Sequence, residues 1–74
     1  MRRATGYEDA NGDEIYEGDL LAEENDLFGV IAKWRVFWQR GYEQWYVEQL
    51  DEDNPYIAPL YAIADECIIA GRSD

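Results

Sequence analysis

The residues of this chain that could do chemistry are almost all carboxylates. Seventeen aspartates and glutamates stand against six lysines and arginines, histidine is absent, and the formal net charge is -11. Without histidine the chain lacks the side chain that enzymes use most often as a general base. Carboxylates in such numbers could serve three uses, namely metal binding, hydrolysis by a carboxylate pair, and recognition of a basic partner.

The strongest indication of a metal site is a short spaced motif near the N-terminus. Asp9, Asn11 and Asp13 have the spacing of the first three ligands of a calcium loop. Such a loop needs glycine at its sixth position and glutamate at its twelfth, where this chain has Glu14 and Leu20. A zinc site built from cysteine and histidine is excluded, since the chain has one cysteine and no histidine. We therefore expect no metal and no cofactor.

Catalysis is not expected either. Glu23 and Glu24 form an acidic pair, but a catalytic pair needs a substrate pocket, and 74 residues leave little room for one. Cys67 opens the apolar run Cys67-Ile68-Ile69-Ala70, which predicts a small core residue and not a nucleophile. The sequence therefore predicts a protein that is not an enzyme.

The third use is an acidic interaction surface. Nine acids and no base lie between Glu8 and Asp26, and a second acidic cluster begins at position 51. Carboxylates on a rigid domain can imitate the phosphates of a duplex and attract lysines and arginines. The alternative is a solvated acidic face that serves solubility or a saline habitat. The predicted partner-binding residues are Glu8, Asp9, Asp13, Glu14, Glu17, Asp19, Glu23, Glu24, Asp26, Asp51, Glu52 and Asp53.

The same charge restricts the kinds of partner. A strongly negative protein repels nucleic acid and anionic membranes, so we expect it to contact neither directly. Trp34, Trp38 and Trp45 are predicted to lie in the core. Stacking of these rings on single-stranded nucleic acid is the alternative, but it needs a basic groove for which the chain has too few bases. The predicted partner is a basic, nucleic-acid-binding host protein or complex.

Turn signals and alternation predict the elements that position these residues. Asn11-Gly12 predicts a hairpin, Glu17-Gly18-Asp19 a second turn, and Leu20 to Glu23 a short strand. Every second residue from Phe28 to Trp38 is apolar, which predicts a long strand with one buried face. Tyr42 to Leu50 is predicted to return as its antiparallel partner.

The C-terminal third predicts one helical turn and a last strand. Pro59 leaves room for a single turn, over Leu60 to Ala64, and Glu66 to Ala70 is predicted to be extended. The whole chain, residues 1–74, is therefore predicted to be one mainly β domain of five antiparallel strands. Such a sheet can close into a small barrel, which removes exposed strand edges.

The N-terminal run also carries a family resemblance. Thr5-Gly6 is followed by Asp9-Ala10-Asn11-Gly12 and then by Ile15-Tyr16-Glu17-Gly18-Asp19-Leu20-Leu21, a pattern that resembles the opening of the YopX-like family of phage and prophage proteins. Gly29-Val30-Ile31 is similar to the family's next strand. The resemblance implies an SH3-like β-barrel and a phage or prophage origin. It supplies no catalytic residues.

Two functions from different classes follow. The first is a phage-encoded inhibitor of a host nucleic-acid-binding defence complex, of the anti-CRISPR or anti-restriction type, acting by nucleic-acid mimicry. The second is a structural or self-assembling phage module, which would form homo-oligomers by edge pairing or through an apolar patch. That patch would consist of Ile31, Phe37, Tyr46 and Leu50. Since the chain shows neither a signal peptide nor a membrane span, we expect it in the cytoplasm of the host bacterial cell.

Overall fold

The described part of the chain folds into seven strands, one helical turn and one 3₁₀ turn. The computed structural model describes residues 3–50, 53 and 55–71. A short helix, α1 (Leu60–Ile63), continues into a 3₁₀ turn over Ala64–Glu66. Within the described residues, no helix is long and apolar enough to cross a membrane. The strands are β1 (Ala4–Glu8), β2 (Glu14–Tyr16), β3 (Leu20–Asn25), β4 (Gly29–Gln39), β5 (Gln44–Gln49), β6 (Ile57–Pro59) and β7 (Cys67–Gly71).

The strands form two antiparallel sheets. The larger sheet has five strands in the order β6-β5-β4-β3-β7, and β1 pairs with β2 in a separate hairpin. The prediction of a mainly β domain with a five-stranded antiparallel sheet and one short helix is thus confirmed. Across the described strands the sheet does not close on itself, because β6 and β7 remain at its two edges. The SH3-like barrel therefore stays a prediction.

The β1–β2 hairpin turns at the predicted Asn11-Gly12 dipeptide. Gly12 adopts a φ of 84°, a left-handed angle that residues with a Cβ resist. Because β2 is only three residues long, the hairpin needs packing against the larger sheet to be stable. Ile15 supplies that packing, since its side chain is fully buried in the common core.

The core lies between the hairpin, the inner face of the large sheet and the helical segment. Trp34 and Val36 on β4 pair with residues of β5, where Trp45 and Val47 are also buried. The predicted core positions of Trp34 and Trp45 are confirmed, and Trp38 packs half-buried against the same cluster. The complete buried cluster is Ile15, Leu21, Trp34, Val36, Trp45, Val47, Ala58, Leu60, Ala64 and Cys67.

The long alternating strand is buried over only part of its length. Phe28 and Val30 belong to the predicted buried face, but both are exposed, so that part of the prediction is wrong. Glu23 pairs with Ala32, and the next pair on β3 skips Ile31, which is the extra residue of a β-bulge. The bulge interrupts the period of two, and the end of the β3–β4 hairpin extends beyond the core.

Both edges of the large sheet are partly protected. Along β7, the Cys67 carbonyl accepts a hydrogen bond from the Ala10 N–H at 2.8 Å, and the Ile69 N–H donates to the Asp9 carboxylate at 2.9 Å. At the opposite edge, β6 is short and ends at Pro59, which has no N–H to offer to another strand. Edge pairing between copies is therefore restricted at both ends of the sheet.

Candidate protein-binding surface

Asp9 connects the turn of the β1–β2 hairpin to the edge strand β7. Its side chain is 5% exposed. Oδ1 accepts hydrogen bonds from the N–H groups of Asn11 and Asp13, both at 2.9 Å, and Oδ2 accepts the Ile69 N–H at the same distance. This is an Asx turn extended by one long-range bond.

The surroundings of Asp9 act on its acidity in two opposite directions. Burial raises the pKa of the carboxyl, because a charge loses solvation there. Hydrogen bonds from the backbone of Ile69, Asp13, Asn11 and Gly12 lower it, and together they leave the pKa below the ordinary value of 3.8. Asp9 is therefore a charged structural group, held by backbone donors.

Asp19 plays a similar part at the second turn. It is fully buried, and its Oδ2 accepts the Tyr16 N–H at 2.9 Å. Its carbonyl accepts the Val36 N–H at 3.0 Å, and the Val36 carbonyl accepts the Gly18 N–H at 2.9 Å. These bonds attach the turn between β2 and β3 to the central strand of the sheet.

Two of the predicted partner-binding residues do not lie on the surface. Asp9 and Asp19 were expected on the surface, but the structure buries both carboxylates and commits them to backbone N–H groups. The reason is that a buried carboxylate is stable only where donors replace its lost water. Neither side chain is available to a partner.

Several of the remaining acids lie on segments that pairing and hydrogen bonds bring side by side. Glu8 and Glu14 are exposed and stand directly opposite each other in the hairpin ladder. The Ala10–Cys67 hydrogen bond brings this hairpin beside the 3₁₀ turn. We call this surface the acidic face, and it consists of Glu8, Asp13, Glu14, Glu23, Asp65 and Glu66.

The inclusion of β3 and the 3₁₀ turn is supported by the thiol at the centre of this region. Burial raises the pKa of the Cys67 thiol, and the charges of Glu23, Glu66 and Asp65 add to this effect, so that together they bring the pKa to about 12. Three carboxylates from two elements thus act electrostatically on one buried atom. The β3–β7 ladder pairs Glu23 directly with Cys67, which follows Asp65 and Glu66, although more than half of the chain separates Glu23 from those two.

The other predicted acids lie apart from the acidic face. Glu24 and Asp26 are exposed on the β3–β4 hairpin, and Asp53 is exposed between β5 and β6. Glu17 is half-buried in the β2–β3 turn, where its N–H donates to the Arg3 carbonyl at 2.8 Å. Two predicted residues lie outside the described part of the chain: Asp51 and Glu52.

Asp65 and Glu66 belong to the acidic face and were not predicted. Both are exposed in the 3₁₀ turn. They lie far in sequence from the N-terminal acids, and no local pattern connects the two segments. Only docking of the hairpin against β7 brings them together.

Comparison with known proteins identifies the family. A family model described as YopX protein matches residues 1–72. The chain belongs to the YopX family. The resemblance carried by Thr5 to Leu21 is thereby confirmed. No match was found among curated proteins or among solved structures.

The structure gives the YopX motif of this chain a folding role. Gly12 and Gly18 adopt φ angles of 84° and 86° at the two turns. Ile15 is buried in the core, and Asp9 and Asp19 hold the turns to β7 and β4. These residues of the YopX-family motif therefore position the hairpin and the β2–β3 turn.

The reactivity of Cys67 tests whether the β1–β2 hairpin covers β7. The thiol is fully buried, as expected of a core residue, and its pKa is raised to about 12. At neutral pH the native protein is expected to react with Ellman's reagent at least about 100-fold more slowly than the protein unfolded in denaturant, since the thiolate is the reactive form. A fast stoichiometric reaction in native buffer would show that the hairpin does not cover β7.

Proposed function

We propose that this YopX-family protein is a phage-encoded inhibitor that binds a basic, nucleic-acid-binding host defence complex through its acidic face. The observation that carries the proposal is the convergence of carboxylates from the β1–β2 hairpin, β3 and the 3₁₀ turn. Like charges placed opposite each other, as Glu8 and Glu14 are, destabilise a hairpin. Such an arrangement is expected where negative charge serves binding at some cost in stability.

The mechanism we propose is occupancy of a nucleic-acid site. Lysine and arginine side chains of the target pair with the acidic face as they would with phosphates. The net charge of -11 steers the encounter over distance, and no covalent bond is made or broken. The target complexes that fit this chemistry are those of the CRISPR and restriction type, whose nucleic-acid channels are strongly basic.

The test is a pair of charge-matched variants. Glu8→Gln/Glu66→Gln removes two charges from the acidic face, and Glu43→Gln/Asp53→Asn removes two exposed charges elsewhere. The wild-type protein and the control pair are expected to capture a nucleic-acid-binding complex from bacterial lysate and to lose it to competing DNA. The acidic-face pair is expected to bind the purified complex at least about 10-fold more weakly and with a flatter salt dependence.

Either of two results would contradict this proposal. One is equal affinity of both variant pairs for the captured complex. The other is a complex that DNA does not displace and that binds equally well at about 50 mM and about 200 mM salt, because a phosphate-like contact must weaken as ions screen it.

A self-assembling module remains the alternative function. Phe37 and Tyr46 of its predicted patch pack on each other with ring centroids 6.4 Å apart, but the exposed Lys33 and Arg35 lie between Ile31 and Phe37 on the same strand. The protected strand edges restrict the other route to assembly. A mass that rises with concentration and resists salt would favour this alternative over the inhibitor.

A further inference from the structure

The end of the β3–β4 hairpin carries the most exposed large apolar side chains among the described residues. Leu27 is 84% exposed and Phe28 is 77% exposed, and Ile31 and Val30 follow at 51% and 49%. Every residue from 24 to 31 is exposed, so this end of the hairpin has left the core. Adjacent apolar side chains without a role in the core, rimmed by polar residues, are typical of an interaction site.

The chain builds this tip as a defined turn. The Asn25 side-chain oxygen accepts the N–H groups of Leu27 at 2.8 Å and Phe28 at 3.3 Å. Gly29 adopts a φ of 74°, and the ladder continues outward as far as the Asn25–Gly29 pair. Leu27 and Phe28 are therefore presented by a hydrogen-bonded turn, which reduces the entropy lost when they are bound.

The charge around the tip restricts what can cover it. Glu24 and Asp26 flank the apolar side chains, and the sequence contains no lysine or arginine between residues 4 and 32. An anionic bilayer would be repelled by these carboxylates. A second copy would bring the same carboxylates and its own net charge of -11.

The area of the tip also disfavours a second copy. Four side chains of this size expose on the order of a few hundred Å². A stable protein interface usually buries roughly 800 Å² on each partner. A small apolar projection of this kind is suited to a concave site, where a few anchoring side chains are fully enclosed.

We propose that the β3–β4 hairpin docks into an apolar cleft bordered by lysines or arginines on a basic protein partner. Phe28 and Leu27 enter the cleft, while Glu24 and Asp26 pair with its basic rim. This inference goes beyond the proposed function, because it assigns a second surface whose contact is apolar at the centre. It does not require the acidic face.

A random-peptide display library tests the inference even though the partner is unidentified. Peptides are selected on the immobilised wild-type protein and sequenced, and their affinities are measured by fluorescence anisotropy. We expect enriched peptides to combine aromatic or aliphatic residues with lysine or arginine. Phe28→Ser is expected to weaken them by about 10-fold or more, as is usual for the loss of an anchoring aromatic. Tyr61→Ser, a matched change at another exposed aromatic, is expected to leave their affinity unchanged.

Three results would overturn the inference. They are the absence of enriched peptides, enrichment without basic residues, and peptides that bind Phe28→Ser as tightly as the wild-type protein. Sedimentation of the wild-type protein adds a fourth, since self-association that Phe28→Ser abolishes would assign the tip to a second copy. Circular dichroism checks that the variant folds, and Leu27→Ser repeats the test at the neighbouring side chain.

The acidic-face pair keeps this test separate from the proposed function. Glu8→Gln/Glu66→Gln is expected to bind the selected peptides as well as the wild-type protein does. Peptides that need Phe28, together with no DNA-displaceable complex from lysate, would support the hairpin site and reject the inhibitor. A DNA-displaceable complex that depends on Glu8 and Glu66, without peptides that depend on Phe28, would support the inhibitor and reject the hairpin site.

Discussion

Replacing Asp9 by alanine is expected to lower the free energy of unfolding by about 2–4 kcal/mol, because it leaves buried backbone donors without an acceptor. The change removes the acceptor for the N–H groups of Asn11, Asp13 and Ile69 at once. The Ile69 bond is the important one, since it joins segments 60 residues apart. Urea denaturation followed by tryptophan fluorescence measures the loss.

Asp13→Ala is the matched control for this prediction. It removes the same charge from the same turn, but its side chain is exposed. We expect it to change the unfolding free energy by less than about 0.5 kcal/mol. Equal effects of the two substitutions would contradict the role assigned to Asp9.

The acidity of Asp9 gives the same prediction a pH dependence. The folded-state pKa is lowered below 3.8, so the unfolded chain binds this proton more readily than the folded chain. The contribution is therefore present above the unfolded pKa and is lost as pH falls through the folded pKa. Asp9→Ala is expected to be less sensitive to pH in this acidic window than the wild-type protein. Parallel pH profiles of stability for the two proteins would argue against the interaction.

Replacing Asp19 by alanine is the second large prediction, with an expected loss of about 2–3 kcal/mol of unfolding free energy. The side chain is fully buried, and alanine leaves the Tyr16 N–H without its acceptor at 2.9 Å. The small cavity left behind adds to the cost. Because a domain of this size has a thin stability margin, a substantial fraction of the alanine variant is expected to be unfolded at about 37 °C.

Asp19→Asn separates the two parts of this effect. Asparagine keeps the shape and one oxygen acceptor for the Tyr16 N–H but loses the charge. We therefore expect the stabilities to fall in the order aspartate, asparagine, alanine. Thermal denaturation ranks the three proteins, and an alanine variant as stable as the wild type would show that this turn does not need the buried carboxylate.

In this small domain, the two aspartates that stabilise the fold are different residues from the acids that we propose to bind a partner. Asp9 and Asp19 hold the hairpin and the β2–β3 turn in place, whereas Glu8, Asp13, Asp65 and Glu66 are exposed. Substitutions in the acidic face are therefore expected to alter binding with little effect on folding. This separation makes the charge-matched variants interpretable, because they change charge at exposed positions only.

The elements that depend on local chemistry could be predicted from the sequence. Asn11-Gly12 marked the hairpin because both residues tolerate a positive φ, and the period of two identified the long strand β4. Cys67 was recognised as a core residue from its apolar context, and it is fully buried. The family followed from the N-terminal motif, since its turns and apolar positions are contiguous in sequence.

The short strands β1 and β6 were not predicted, and the reason is physical. Each has few residues, and each is extended only because a neighbouring strand pairs with it. Sequence patterns of so few residues do not separate a strand from a loop. The described residues therefore form seven strands where five were predicted.

By itself the sequence determined the charge, the hairpin signals, the alternation of β4 and the family of this protein. The tertiary structure decided which carboxylates are inside and which are outside. Asp9 is buried because Ile69 lies against it, and Asp65 joins Glu8 because the hairpin docks on β7. Phe28 is exposed because it lies in the turn of the β3–β4 hairpin, which extends beyond the core. The burial of Asp9 and the position of Asp65 depend on contacts between distant segments, and such contacts leave no periodic signal in a single chain.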